Sequence, residues 1–198
     1  MGARVTVTIV GASGLVGREL LVQLCRDSSI SVIHVLGRRA IHLPEDPGNA
    51  ELVQHQVDFN RLAEFAWPPC DMLFCCLGTT IKAAGSQEAF RTVDYDYVVE
   101  SARAARRAGA TRLLVISAMG ANPASGIFYN RVKGEMERAV AGLGYESVLI
   151  FRPALLSGSA PGAVRSSMLR KWHSNYSIRF CRASIVRRRR RRWRAPWP

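Results

Sequence analysis

TVTIVGASGLVGREL, residues 6–20, begins as a strand and ends as a helix. Thr6 to Val10 runs apolar and β-branched, which suits a buried strand. From Gly14 to Cys25, Leu15, Leu20, Leu21 and Leu24 recur at helical spacing. Between the two lie Gly11, Ala12, Ser13, Gly14, Leu15, Val16 and Gly17, a GxxGxxG pattern. In that context each glycine has a task. Gly11 permits the tight turn, Gly14 leaves room for a pyrophosphate against the backbone, and Gly17 lets the helix pack closely on the sheet. The free N–H groups and positive dipole end of the helix then face the phosphates. The pattern predicts dinucleotide binding at residues 11–17.

The rest of the chain repeats this alternation. Strands are predicted over 4–10, 31–36, 52–57, 71–77, 112–117 and 147–151, with helices over 14–25, 87–108 and 129–143. The inner stripe of the long helix is read as Phe90, Val93, Tyr97, Val98 and Ala104. Continuous apolar strands alternating with helices imply parallel strands buried on both faces. With right-handed crossovers, the fold class is α/β: a Rossmann-like doubly wound parallel sheet with helices on both faces. The expected division is a dinucleotide-binding domain over 1–158 and an Arg-rich tail over 159–198.

Charge supports that division. The chain has 198 residues and a net charge of +13. Residues 1–165 carry 17 Lys and Arg against 15 Asp and Glu, whereas the remainder carries 11 Lys and Arg and no acid. Arg187 to Arg194, with Trp193 interleaved, would touch any polyanion non-specifically and in a salt-dependent way. A dedicated nucleic-acid role is not expected. No apolar run approaches a membrane span, so no membrane partner is expected. No secretory leader opens the chain, and the expected compartment is the cytoplasm. The five cysteines show no zinc or CxxC spacing, and Cys75-Cys76 reads as core filling. His34, His42, His55 and His173 are scattered and suggest no ligand set.

Cofactor choice turns on the end of the second strand. An NAD-binding fold tends to carry an acid there for the ribose hydroxyls. This chain has Leu36-Gly37-Arg38-Arg39 instead. Guanidinium groups hold a 2′-phosphate through charge-assisted bonds, so NADP(H) is favoured over NAD(H), against the alternative of a solvated loop. Asp58 either accepts a bond from the adenine amino group or caps the turn at Asn60.

Ser117 ends the fifth strand, and Tyr129-Asn130-Arg131-Val132-Lys133 comes after it as YxxxK. Positions i and i+4 share a helix face, so the Lys133 ammonium is expected to lower the Tyr129 pKa. Ser117 would bond a substrate oxygen. The alternative is a tyrosine that packs the helix start and a solvated lysine.

GASGLVG, GRR, FCCLGTT (residues 74–80), ISAMGA (116–121), YNRVKGE (129–135) and FRPALLSG (151–158) together resemble the atypical short-chain dehydrogenase/reductases. Within them the sequence is similar to the Tat-interacting-protein-like oxidoreductases and the epimerase/dehydratase-like group. The resemblance implies catalysis by Ser117, Tyr129 and Lys133, with Lys133 also holding the nicotinamide ribose. It implies that Cys76, Leu77, Gly78 and Thr79 line the cofactor and that Arg152 and Pro153 close the nicotinamide side. The substrate would be a small carbonyl or alcohol. Two departures stand out: Asp94 occupies a position where many members carry asparagine, and residues 165–198 replace a part that shapes the substrate pocket. The second departure keeps open a catalytically weak, cofactor-binding regulatory or scaffold protein.

Overall fold

The computed structural model describes residues 4–153. The Arg-rich tail, the boundary at 158, Cys181 and His173 lie outside them. Six strands are formed: β1 (Val5–Val10), β2 (Ile30–Gly37), β3 (Glu51–Gln56), β4 (Met72–Cys75), β5 (Arg112–Ile116) and β6 (Ser147–Phe151). The helices are α1 (Leu15–Cys25), α2 (Ile81–Ala84), α3 (Gln87–Arg91), α4 (Tyr97–Arg107) and α5 (Phe128–Ala141).

All strands run parallel in the order β3-β2-β1-β4-β5-β6. The chain starts at the centre, builds outward to β3, then returns across β1 to build β4 to β6. That reversal leaves a crevice at the carboxyl ends of β1 and β4, where ligands of such sheets bind. Each face has its own core. On one face Leu20, Leu21 and Leu24 of α1 pack on Ile9, Ile33, Val35 and Phe74. On the other, Val98, Ala102 and Ala105 of α4 and Met136 and Val140 of α5 cover Leu36, Leu73, Leu113 and Val115. β4 is buried along its whole length. The Rossmann-like expectation is met.

Two predicted elements change. The fourth strand shortens to Met72–Cys75, and the carboxylate of Asp71 just before it accepts the Thr6 amide at 2.8 Å. The helix expected over 87–108 is interrupted by a π turn at Thr92–Asp96. An i→i+5 turn adds one residue and rotates the helix beyond it. Val93 and Tyr97 are therefore only half-buried, while Asp94 is driven fully inward and Val99, Ala102 and Ala105 join the core.

Pairing of β2 with β3 also brings two of the scattered histidines together, with His34 Nδ1 and His55 Nε2 3.1 Å apart. Burial lowers both pKa values, and at His34 the neighbouring His55 adds to it. An unfolded chain therefore binds more protons than the folded one below about pH 6.5, so this pair's contribution is lost as pH falls through that value. Urea midpoints measured from about pH 7.5 down to about 5.5 should fall, and His55→Gln should flatten the decline. An equally steep decline in that variant would exclude the pair as its source.

Candidate functional site

The glycine turn joins β1 to α1, as its sequence predicts, and the three glycines divide the work. Gly11 has φ +81°, and a Cβ there would lie 2.6 Å from the carbonyl carbon of Cys76. A Cβ on Gly17 would lie 2.2 Å from the Gly11 carbonyl oxygen. These two are required by the fold itself, and Gly17 packs on the turn rather than on the sheet. Gly14 differs: it is exposed, and a Cβ on it would meet only the Gly11 carbonyl oxygen, at 3.3 Å. Gly14 caps α1 without a side-chain hydrogen bond, and the first turn holds no acid. Its leading amides have no intrahelical acceptor. Ser13 and Leu15 are exposed, Val16 is half-buried and Ala12 is buried. The observed cradle is open, cationic in character and free of any competing cap. It fits a diphosphate.

Beyond β2, Arg38 and Arg39 are exposed, and neither forms an ion pair among the described residues. Beside α1 runs a cleft of about 510 Å³, lined by Ser13, Arg18 and Leu21 on one wall and Ile41 to Pro44 on the other. Arg18 and His42 are cationic or titratable lining groups that the sequence reading missed. The available signal was the position of Arg18, directly after Gly17. Asp58 accepts the Asn60 amide at 2.9 Å, capping a short 3₁₀ turn at Phe59–Arg61. One of its two readings is thus realised in the fold.

At the end of β5, Ser117 is 4% exposed, and its Oγ has no hydrogen-bond partner. α5 carries both Tyr129 and Lys133. Tyr129 is half-buried, its ring centroid 5.3 Å from that of Phe90. Lys133 is 3% exposed, and its Nζ lies 2.6 Å from Asp94 Oδ1. The other Asp94 oxygen accepts the Thr79 amide at 2.9 Å. A Cβ on Gly78 would stand 3.4 Å from Asp94 Oδ1 and 3.7 Å from Lys133 Nζ, which places the loop after β4 against the ion pair. Cys76 and Leu77 lead into this loop, both half-buried.

The expected lowering of the Tyr129 pKa is not what the site produces. Burial raises it, and the nearby Asp94 charge raises it further. The ammonium that would favour a phenolate is instead paired with a carboxylate. Burial raises the Asp94 carboxyl as well, while Lys133 pulls it back. The Cys75 thiol is pushed up to about 12 by burial, which suits core filling rather than thiolate chemistry.

Arg152 is paired with a carboxylate. It donates through Nε to Glu137 of α5 at 2.8 Å and makes a second bond to the same carboxylate through Nη2. Pro153 is buried, and its carbonyl accepts the Met119 amide at 3.1 Å. Gly134 was another silent position. A Cβ there would lie 2.2 Å from the Pro123 nitrogen, so α5 presses directly on the loop from β5. Among the described residues no group of three His, Cys, Asp or Glu could hold a metal.

A crevice at the strand reversal, a bare glycine cradle and a helix bearing YxxxK define a dinucleotide-binding Rossmann protein. The chain belongs to the NAD(P)H-binding family, which matches residues 11–156. It is 35% identical over 184 residues to Protein HTATIP2 of Rattus norvegicus, covering 87% of this chain and 75% of that protein. It is 30% identical over 209 residues to the mitochondrial protein FMP52 of Coccidioides immitis, covering 91% and 84%. Its fold is similar to that of the Bordetella bronchiseptica enzyme WbmG in complex with NAD, with TM-score 0.60 and 18% identity. That match covers 79% of this chain and 55% of WbmG, so the chain spans little more than half of that enzyme's length.

These relatives correct the expected compartment. FMP52 proteins of several fungi are named as mitochondrial, which overturns the cytoplasmic reading. That reading rested on the lack of a secretory leader, and such a lack specifies no compartment. No helix among the described residues is long and apolar enough to cross a membrane.

Proposed function

We propose that the chain is an NADP(H)-dependent oxidoreductase acting on a small carbonyl or alcohol. One observation carries this reading: a buried Ser117 Oγ without a partner, directly after β5 and at the start of the loop that packs on the helix of Tyr129 and Lys133. An unsatisfied buried hydroxyl costs about 1–3 kcal/mol, which a substrate oxygen would relieve. Ser117 holds that oxygen, Tyr129 exchanges a proton with it, and Lys133 holds the ribose. The bound nicotinamide supplies the hydride. The amides around residues 11–17 hold the diphosphate, and Arg38 and Arg39 hold the 2′-phosphate. Cys76, Leu77, Gly78 and Thr79 line the cofactor. The free oxygen of Asp58 faces the adenine, and Arg152 and Pro153 wall the nicotinamide side. An epimerase or dehydratase working through a transiently oxidised substrate is a variant of the same chemistry.

Thermal unfolding with each nucleotide tests the cofactor assignment. At about 100 times Kd a ligand adds about 2.7 kcal/mol, or about 5–10 °C in Tm for a chain this size. NADPH should give the larger rise, and replacing Arg38 and Arg39 with Ala should bring it down to that of NADH. A larger rise with NADH in the unaltered protein would refute the 2′-phosphate assignment.

A second reading is a cofactor-binding regulatory protein with little turnover. It is favoured by Arg165 to Pro198, which lack any acid and any apolar period. We treat residues 159–198 as an appendage to the dinucleotide-binding domain. NADPH binding without Tyr129-dependent consumption of NADPH across a carbonyl panel would favour this second reading.

A further inference from the structure

Asp94 has no solvent exposure, and three elements converge on it. The π turn drives it inward, α5 supplies Lys133 at 2.6 Å, and the loop after β4 supplies the Thr79 amide at 2.9 Å. Gly78 of that loop lies against the pair. Tyr129 lies one helical turn before Lys133, within reach of the same charges. We propose that Asp94 is a positioning residue: by pairing with Lys133 it withholds the ammonium's charge from Tyr129, so that the phenol enters the reaction protonated, as the donor that carbonyl reduction needs. This deepens the oxidoreductase reading and rests on it.

The step balances. The Tyr129 O–H bond breaks and its proton goes to the carbonyl oxygen. The carbonyl carbon takes a hydride, with its electron pair, from NADPH as co-reactant. The carbonyl is reduced to an alcohol, NADPH is oxidised to NADP⁺, and the phenolate recovers a proton from water.

The charged and titratable neighbours of this centre agree with that role. The π turn contributes Asp94 and α5 contributes Lys133, and the two cancel at contact distance. β4 contributes the Cys75 thiol, and Cys76 is next in the chain; burial raises both, so both stay neutral. Arg91 of α3 and Glu135 of α5 neutralise each other in an ion pair. The loop from β5 brings Ser117, which carries no charge. Burial and Asp94 both hold Tyr129 above an ordinary phenol.

The test is a titration of Tyr129 in the full chain without nucleotide, by NMR of ¹³Cζ-labelled tyrosine. The chain has five tyrosines, and Tyr129→Phe assigns the resonance. In the unaltered protein the midpoint should lie above about 10. In Asp94→Asn, an unopposed ammonium should bring it down by about 1–3 pH units, to below the value of a free phenol. In Lys133→Met it should stay at or above that of the unaltered protein. Loosened packing alone would bring both variants down towards about 10 and no further. That result, or an unmoved midpoint in Asp94→Asn, overturns the proposal. If the titration behaves as expected and no carbonyl is consumed, the oxidoreductase reading fails while the hold of Asp94 on Tyr129 stands.

Discussion

Tyr129→Phe should reduce NADPH-dependent carbonyl turnover by about 10²–10⁴-fold, the range typical of a lost general acid. The ring remains to pack on Phe90, against which it lies tilted, so fold and nucleotide affinity should be preserved. The loss should appear in kcat and leave KM for NADPH unchanged, because the hydroxyl acts on the substrate oxygen rather than on the nucleotide. Turnover within a few-fold of the unaltered protein would remove Tyr129 from the chemistry. It would also remove the reason for reading Ser117 and Lys133 as its partners.

The second large effect separates the glycines of the cradle. In Gly17→Ala the new methyl would lie 2.2 Å from a backbone oxygen, which no rotamer change relieves. The expected cost is at or beyond the upper end of the about 1–3 kcal/mol usual for overpacking, so Tm should fall by about 6–12 °C or more. Gly14→Ala is the control. Its backbone, with φ −78°, accepts alanine, and only one contact at 3.3 Å is tight. This variant should fold with near-normal Tm yet bind NADPH poorly, since its methyl occupies the approach of the diphosphate. If both variants bind nucleotide normally, the phosphate does not lie in this turn.

The contrast shows why the cradle was legible. A turn between a strand and a helix is a local event, and its residue requirements appear in consecutive positions. The doubly wound parallel sheet emerged in the same way from the alternation of apolar strands with helices. Asp94 was different. Nothing in TVDYD announces an i→i+5 turn, and an unbroken helical count leaves Val93 and Tyr97 on the inner stripe. The direction of the Tyr129 shift was missed for the same reason, because it depends on a carboxylate 35 positions away in sequence. The His34–His55 contact needs the register of two strands, and the engagement of Arg152 by Glu137 needs the docking of β6 beside α5. Local chemistry could be read along the chain; charge pairing between distant elements could not.

The place of β1 has a consequence for assembly. It is made before the other five strands of this sheet, and it ends between β2 and β4 at the middle of the sheet. Its second neighbour lies far along the chain, as the Thr6–Asp71 bond across 65 residues shows. Among the described residues no hairpin shortens that search, because every pairing is parallel and must wait for an intervening crossover. Such topologies form slowly, since loop closure precedes the contacts that reward it. Until β4 emerges, one side of β1 presents an unsatisfied ladder, so the nascent chain is most open to mispairing or chaperone capture before about residue 75 has left the ribosome.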